Sequence, residues 1–519
     1  MATPARPNIL LCFTDQQRAD TIGALGNPVI RTPALDRLCR SGVAFSNAFS
    51  PSPVCVSARC SLIHGQYPLH TGCYENTVMP TDGRETFMAA LTAAGYRTHG
   101  IGKCHFTPDS HALRGFETRE YQEELVRDPE KDDYLRFLHA NGFRHVCDPH
   151  GIRGEMYYVP QPSQYPAHLH PTQWVGDRAV AYLREQAGKD RPWFLFASFI
   201  HPHPPFAPPN PWHKLYRAPL MPLFNVPADH EALLTFINRF QNRYKYRDQG
   251  IDQNLLRCLK AYYYACISFI DFQLGRLLAV LEETGQLDRT LILFTADHGE
   301  HLGDYHCFGK RSMHDSCARI PMLARLPGRF AEGAVCAAPV SLVDVAATVC
   351  AAAGTGIRSH ALDGLDLADI AAGAVTRETV FAQHAMVPFT AAARVHEAVE
   401  KELAVVGGAV DVLPAAAHRH VRRQGSARFR VLVQFPGGRL MDPLETRSRA
   451  GVPLCRRDLA TLRTALLDHL RAGGETGGIT AEGQWREFPR QVLPADPDAL
   501  LLVQDHPWPD TRLPGYTDV

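Results

Sequence analysis

The sequence carries no surplus charge of either sign. Lysine plus arginine and aspartate plus glutamate each number 54 in 519 residues, so the formal charge is zero. That removes the sequence-independent attraction on which nucleic-acid binders and binders of anionic membranes depend, and neither class of partner is expected. An uninterrupted apolar run of membrane length is also lacking. The best candidate, 337–354, is broken by Pro339 and Asp344 and is rich in alanine; it reads as a helix of a soluble fold, with Ser341 as N-cap and Asp344 in the first turn. The polar, proline-rich Met1 to Asn8 runs straight into Ile9–Phe13 without a basic leader or cleavage site, so a cytoplasmic protein is expected. The 14 cysteines never fall in CxxC spacing, which favours reduced thiols packed in a core, Cys60, Cys73 and Cys104 among them, over a disulfide framework. No internal repeat is present.

What remains is ordinary globular composition, 45% apolar and 21% charged, long enough for several domains or one large α/β unit with an appendage. Short apolar runs at Ile9–Phe13, Tyr96–Gly102, Trp193–Ile200 and Leu291–Phe294 read as buried strands. Helical spacing at Pro33–Ser41, Thr86–Ala94, Thr172–Ala187 and Leu255–Thr284 separates them. Strands alternating with helices predict an α/β fold, a large mostly parallel or mixed sheet flanked by helices.

Near residue 375 the pattern changes. Strand-like Val380–Gln383 and Leu403–Val406, a hairpin from Phe429–Phe435 turning at Pro436–Gly438, and helical spacing over Asp458–Arg471 predict a smaller C-terminal α+β domain. The expected organisation is therefore a catalytic α/β domain over 1–375, the small domain over 376–475, and an extended tail over 476–519 that wraps over the body or forms a homo-oligomer contact.

The chemistry gathers at strand ends, where ligands bind in open α/β sheets. The four runs are followed by Asp15-Gln16, Lys103-Cys104-His105, His201-Pro202-His203 and Asp297-His298-Gly299-Glu300. A single polar residue after a strand is more often a turn or cap, but four such ends on neighbouring parallel strands would meet. Asp15, Gln16, Asp297 and His298 offer oxygens and one imidazole, a set suited to a hard or borderline divalent cation. With Arg59, Lys103, Lys310 and several histidines beside it, the site is expected to bind a sulfate or phosphate ester. Cys55 falls at the start of a short predicted helix, where backbone N–H groups favour an anion.

The Cys-x-Ser-x-Arg core at Cys55–Arg59, Gly-Lys-x-His at Gly102–His105, Pro-His-x-Pro-Phe at Pro202–Phe206, and Asp-His-Gly-Glu-x-Leu-Gly-Asp at Asp297–Asp304 followed by Lys310 resemble the formylglycine-dependent sulfatases of the alkaline phosphatase superfamily. Phosphonate monoester hydrolases are close relatives within it. The resemblance spans Asn8 to Leu326 and resumes at Leu440–Glu445. It implies an alkaline phosphatase-like fold and a sulfate monoester as small-molecule substrate. It further implies a maturation enzyme that oxidises Cys55 to formylglycine, whose hydrate attacks sulfur.

Carried over by position, Cys55 would be nucleophile and metal ligand, with Asp15, Gln16, Asp297 and His298 completing a site for one divalent metal. Calcium is the first expectation, with magnesium, manganese or zinc open to a set holding one imidazole. Arg59 would support the nucleophile, Lys103 and Lys310 the ester oxygens, His105 the second hydroxyl, and His203 the leaving-group proton; Asn76 and His201 are candidate substrate contacts. Ser57 departs from the family's usual proline, which bears on maturation of Cys55. The alternatives are a phosphonate or phosphate mono- or diester hydrolase using the same site, a catalytically silent anion-binding homologue and, weaker still, a cysteine hydrolase.

Overall fold

The computed structural model describes residues 6–385, except 77, 127–128, 154–155, 236, 239–240 and 243–251, together with 429–433, 456–472 and 484. Its centre is β1 (Asn8–Thr14), every residue of which is buried. β1 lies between β6 (Trp193–Phe199) and β7 (Thr290–Ala296), parallel to both. This explains why the three segments read as continuous apolar runs rather than alternating ones: each is covered on both faces. Ile9, Leu11 and Phe13 face one core layer, and Leu10 and Cys12 the other.

The sheet extends on the β6 side to β4 (Arg97–Gly102) and β5 (Thr118–Tyr121). On the β7 side lie β8 (Met322–Arg325), β2 (Val43–Phe45) and β9 (Ala334–Cys336). Its eight strands run β5-β4-β6-β1-β7-β8-β2-β9, and only β8 is antiparallel to its neighbours. The fold is thus the α/β class expected, a large mostly parallel sheet flanked by helices. Cys55–His64, Phe87–Ala93 and Asp344–Ala353 pack in one layer, and Pro33–Ser41, Pro171–Gln186 and Gln253–Glu283 in the other.

The Gln253–Glu283 helix is long and apolar enough to cross a membrane, but 78% of its most apolar window is buried inside the fold. It packs on Pro33–Ser41 and Pro171–Gln186, and its Asp271 accepts the Ala34 and Leu35 N–H groups at 3.1 and 2.7 Å. That carboxylate caps the first turn of a neighbouring helix. The described cysteines are all free and most are buried, Cys60, Cys73 and Cys104 included.

The helix expected within 337–354 corrects one detail. Ser341 lies in β10 (Val340–Ser341), paired with β3 (Ala48–Phe49), and the helix starts at Asp344 without a side-chain cap from Val343. Strand pairing holds Ser341 extended, and its N–H donates to Asp344 Oδ2 at 2.7 Å.

Beyond residue 375, β11 (Phe381–Ala385) pairs antiparallel with β12 (Phe429–Val433). It is tied to the body by the Gln383 N–H, which donates to Pro51 O at 2.8 Å, and by Gln383 Oε1, which accepts the Leu69 N–H at 3.0 Å. The Arg456–Ala472 helix places His469 on the ring of Phe381. The strand expected at 403–406, the turn at 436–438, the 440–445 stretch and, Gln484 apart, the tail lie outside the described residues.

Candidate active site

The register of the sheet builds the site. Thr14 stands opposite Ala296, so Asp15 and Asp297 leave adjacent strand ends side by side. β4, β6, β1 and β7 are consecutive neighbours, and the four polar strand ends meet as expected. Gly102 turns the end of β4 with φ +90°, where a Cβ would stand 2.0 Å from Ser198 O. Only glycine allows Lys103 to be presented there. Cys55 arrives from the other direction, as the first residue of a wholly buried helix.

Asp15, Cys55, Asp297 and His298 converge with their ligand atoms all within 4.8 Å of one another. His298 Nε2 lies 3.3 Å from Cys55 Sγ and 3.5 Å from Asp297 Oδ1. Its Nδ1 sits 2.9 Å from Gly299 O, which assigns the proton to Nδ1 and leaves the Nε2 lone pair facing the cluster. Gln16 lies alongside with φ +66°. Its N–H donates to Asp297 Oδ1 at 2.9 Å, its Oε1 accepts from Lys310 Nζ at 2.8 Å, and its amide nitrogen donates to Glu300.

Arg59 binds both carboxylates, Asp15 Oδ2 and Asp297 Oδ2, at 3.0 Å each. Burial pushes both aspartates up. Lys103, His203 and Arg59 hold Asp15 well below the usual carboxylate range, while burial and the charge of Asp15 keep Asp297 above it. Two buried carboxylates driven apart in proton affinity beside an imidazole lone pair form a donor set that fits a hard or borderline divalent cation.

On the thiol, burial and Asp15 act upward, but Lys310, Lys103 and His298 bring Cys55 well below its ordinary range. Lys310 Nζ donates to Sγ at 2.8 Å. Lys103 Nζ sits 2.7 Å from Asp15 Oδ2 and 2.6 Å from Glu124 Oε2. His203 Nδ1 lies 2.7 Å from Pro204 O, so its Nε2 is the nitrogen turned to the site, 3.5 Å from Glu124 Oε1; burial lowers its proton affinity.

The remaining candidates divide. His105, at φ +55°, donates its N–H to Glu123 and keeps a buried Nδ1 without a hydrogen-bond partner. Asn76 Oδ1 accepts the Val56 N–H at 2.9 Å, which fixes it against the first turn carrying Cys55. His105, Asn76 and Glu124 retain partial exposure while Cys55 and Lys103 are sealed. His201 turns elsewhere: its Nδ1 is 3.4 Å from Thr172 Oγ1, and its ring packs on His170.

Sequence reasoning missed Glu124, which joins Lys103, Arg153 and His203, and Glu300. The latter also accepts from Tyr158 and from the Leu302 and Gly309 N–H groups, and it thereby fixes which way the Gln16 amide points. Glu300 lies inside a recognisable motif and was within reach. Glu124 follows an edge strand with no apolar run and gave no signal.

Residues 7–355 match the family model described as Sulfatase. The chain is 33% identical over 357 residues to the multifunctional alkaline phosphatase superfamily protein PehA of Trinickia caryophylli, covering 62% of this chain and 69% of that protein. It is 32% identical over 356 residues to an arylsulfatase of Clostridium perfringens, covering 63% and 70%. Among solved structures, the phosphonate monoester hydrolase of Agrobacterium radiobacter shares the fold with a TM-score of 0.73 at 24% identity, over 93% of this chain and 100% of that one.

Proposed function

The chain belongs to the sulfatase family, and from that premise we propose that it hydrolyses a sulfate monoester to an alcohol and inorganic sulfate. The observation that carries this reading is the convergence of Asp15, Cys55, Asp297 and His298 beneath two buried ammonium groups, Lys103 and Lys310. When present, a divalent cation held by Asp15, Gln16, Asp297, His298 and the residue made from Cys55, calcium first, would supply positive charge to the ester oxygens, and formylglycine made from Cys55 by a maturation enzyme would supply the nucleophilic oxygen.

The chain's own residues do the rest. Lys103 and Lys310 hold the sulfuryl oxygens, Lys310 on the side of the bridging oxygen, and their charge favours the growing negative charge. Arg59 fixes both metal-side carboxylates. His203 delivers a proton from Nε2 to the departing alcohol, because Nδ1 is committed to Pro204 O. His105 takes the proton whose loss frees sulfate, and Asn76 contacts the ester from the solvent side, with His201 packed further back. Asp297 shares the cluster with Cys55, and Lys310 donates to Cys55 Sγ, so Asp297→Ala and Lys310→Ala in matured protein with saturating metal should each lower sulfate-ester turnover by at least roughly 10².

A second reading, a phosphonate or phosphate mono- or diester hydrolase with the same site, is favoured by two observations. Gln16 and His298 put an amide and an imidazole where a purely carboxylate set would be harder, and the PehA relative is named multifunctional. Peptide mass spectrometry across Cys55, on protein made with a maturation enzyme, followed by parallel assays with an aryl sulfate and an aryl phosphonate, separates the two. An aldehyde with sulfate turnover supports the first reading and phosphonate turnover alone the second. An aldehyde with neither activity, under saturating metal, would refute both.

A further inference from the structure

Glu124 is a carboxylate set inside an anion site. Its Oε2 lies 2.6 Å from Lys103 Nζ, and its Oε1 lies 2.9 Å from Arg153 Nη1 and 3.5 Å from His203 Nε2. Two of these three partners, Lys103 and His203, are the groups assigned above to the ester. Glu124 is not one of the clustered residues Asp15, Cys55, Asp297 and His298, and Lys103 Nζ lies between it and Asp15. Lys103 already has a carboxylate partner in Asp15, at 2.7 Å, so neutralising that lysine does not by itself require a second one. Burial works against the charge of Glu124, yet His203, Lys103 and Arg153 hold it ionised.

A fixed negative charge one hydrogen bond behind the ester-binding groups weakens the binding of every anion, but not equally. Coulomb repulsion scales with the charge of the ligand. A sulfate monoester carries one negative charge and the inorganic sulfate it releases carries two, while a phosphate monoester carries nearly two at neutral pH. We propose that Glu124 is a specificity-determining residue that tunes the site to monoanionic esters, disfavouring dianionic phosphate monoesters and easing release of dianionic sulfate. This rests on the ester-hydrolase reading above.

The test is Glu124→Gln, which keeps the shape and removes the charge, in the matured, metal-loaded full chain. Glu120→Gln is the control, since Glu120 pairs with Arg178 and His99 on β5, away from the site. Ratios are read because a merely structural loss, such as a displaced Lys103, removes positive charge from the site and lowers the phosphate-to-sulfate ratio rather than raising it. Expected for Glu124→Gln is a rise of about tenfold or more in the kcat/KM ratio of aryl phosphate to aryl sulfate, with a comparable fall in the Ki of inorganic sulfate. Glu124→Asp stays near the parent in both, and Glu120→Gln changes neither. Ratios in Glu124→Gln equal to those of the parent overturn the proposal.

Should Glu124→Gln not fold, Glu124→Ser, which leaves room for water, makes the same comparison. If the parent turns over no ester, the functional reading fails, and the charge preference is read from binding alone. Calorimetric Kd values for inorganic sulfate and methyl sulfate should then shift by about tenfold in ratio on removing the charge, and an unchanged ratio refutes it.

Discussion

Lys310 Nζ lies 2.8 Å from Cys55 Sγ and 2.8 Å from Gln16 Oε1, so one ammonium joins the proposed nucleophile to a residue of the proposed metal site. Its charge is among those that hold the thiol below its ordinary range, after burial and Asp15 have acted upward. In protein not yet matured, Lys310→Ala should therefore raise the pH at which Cys55 is alkylated, followed by mass spectrometry of its peptide. In matured protein the same change should lower kcat/KM by roughly 10²–10³, the loss typical of one preorganised charge contact in a transition state. An unchanged alkylation profile would contradict the geometry.

Removing Arg59 leaves Asp15 and Asp297 buried with their shared partner gone. Arg59→Ala is expected to cost about 3–5 kcal/mol in denaturant melts, the range for breaking a buried pair. Because a divalent cation would neutralise the same carboxylates, added calcium should recover more stability in Arg59→Ala than in the parent. Equal calcium responses would remove the carboxylates from the metal site.

Gly102→Ala tests how the sheet presents Lys103. A Cβ at φ +90° would stand 2.0 Å from Ser198 O, a backbone atom that cannot swing aside. The variant should melt several degrees lower and lose activity together with its Lys103 contacts. Gly188→Ala, whose Cβ meets nothing within 4 Å, should keep full activity despite its positive φ.

Acid should destabilise the fold through three buried histidines outside the metal cluster. Burial lowers His64 to about 4 and His150 and His201 to about 3, against about 6.5 in an unfolded chain. Between those values the unfolded state binds protons that the folded state refuses, so their stability contribution is complete above about pH 6.5 and is lost as pH falls toward 4 and then 3. His201→Gln should be less stable at neutral pH but show a flatter decline of Tm below pH 6. A decline as steep as the parent's would count against the burial of a neutral ring.

Much of the fold could be read before any coordinates. The four buried strands, four of the helices that cover them and the Arg456–Ala472 helix lie within a few residues of their expected positions, because burial on one face or two writes itself into local periodicity. The proposed metal-side residues can be named from local sequence too, since Asp15-Gln16 and Asp297-His298 directly follow two of those strands and Cys55 opens a recognisable motif. His201 was not: it shares a loop with His203, but two residues along that turn are enough to point its ring at Thr172 and His170. Ser341 reads as a cap because serine commonly is one, whereas pairing of β10 with β3 claims its backbone.

The sequence by itself determined the α/β class, the residue types at each strand end and the Cys55–Arg59 motif, all of which are patterns within a dozen neighbouring positions. Tertiary structure alone decided which charges meet. Arg59 bridges Asp15 and Asp297, Glu300 orients Gln16, and Glu124 backs Lys103 and His203. Most of these contacts join residues far apart in the chain. They are fixed by strand order and register, which depend on how whole layers pack and leave no trace in local spacing.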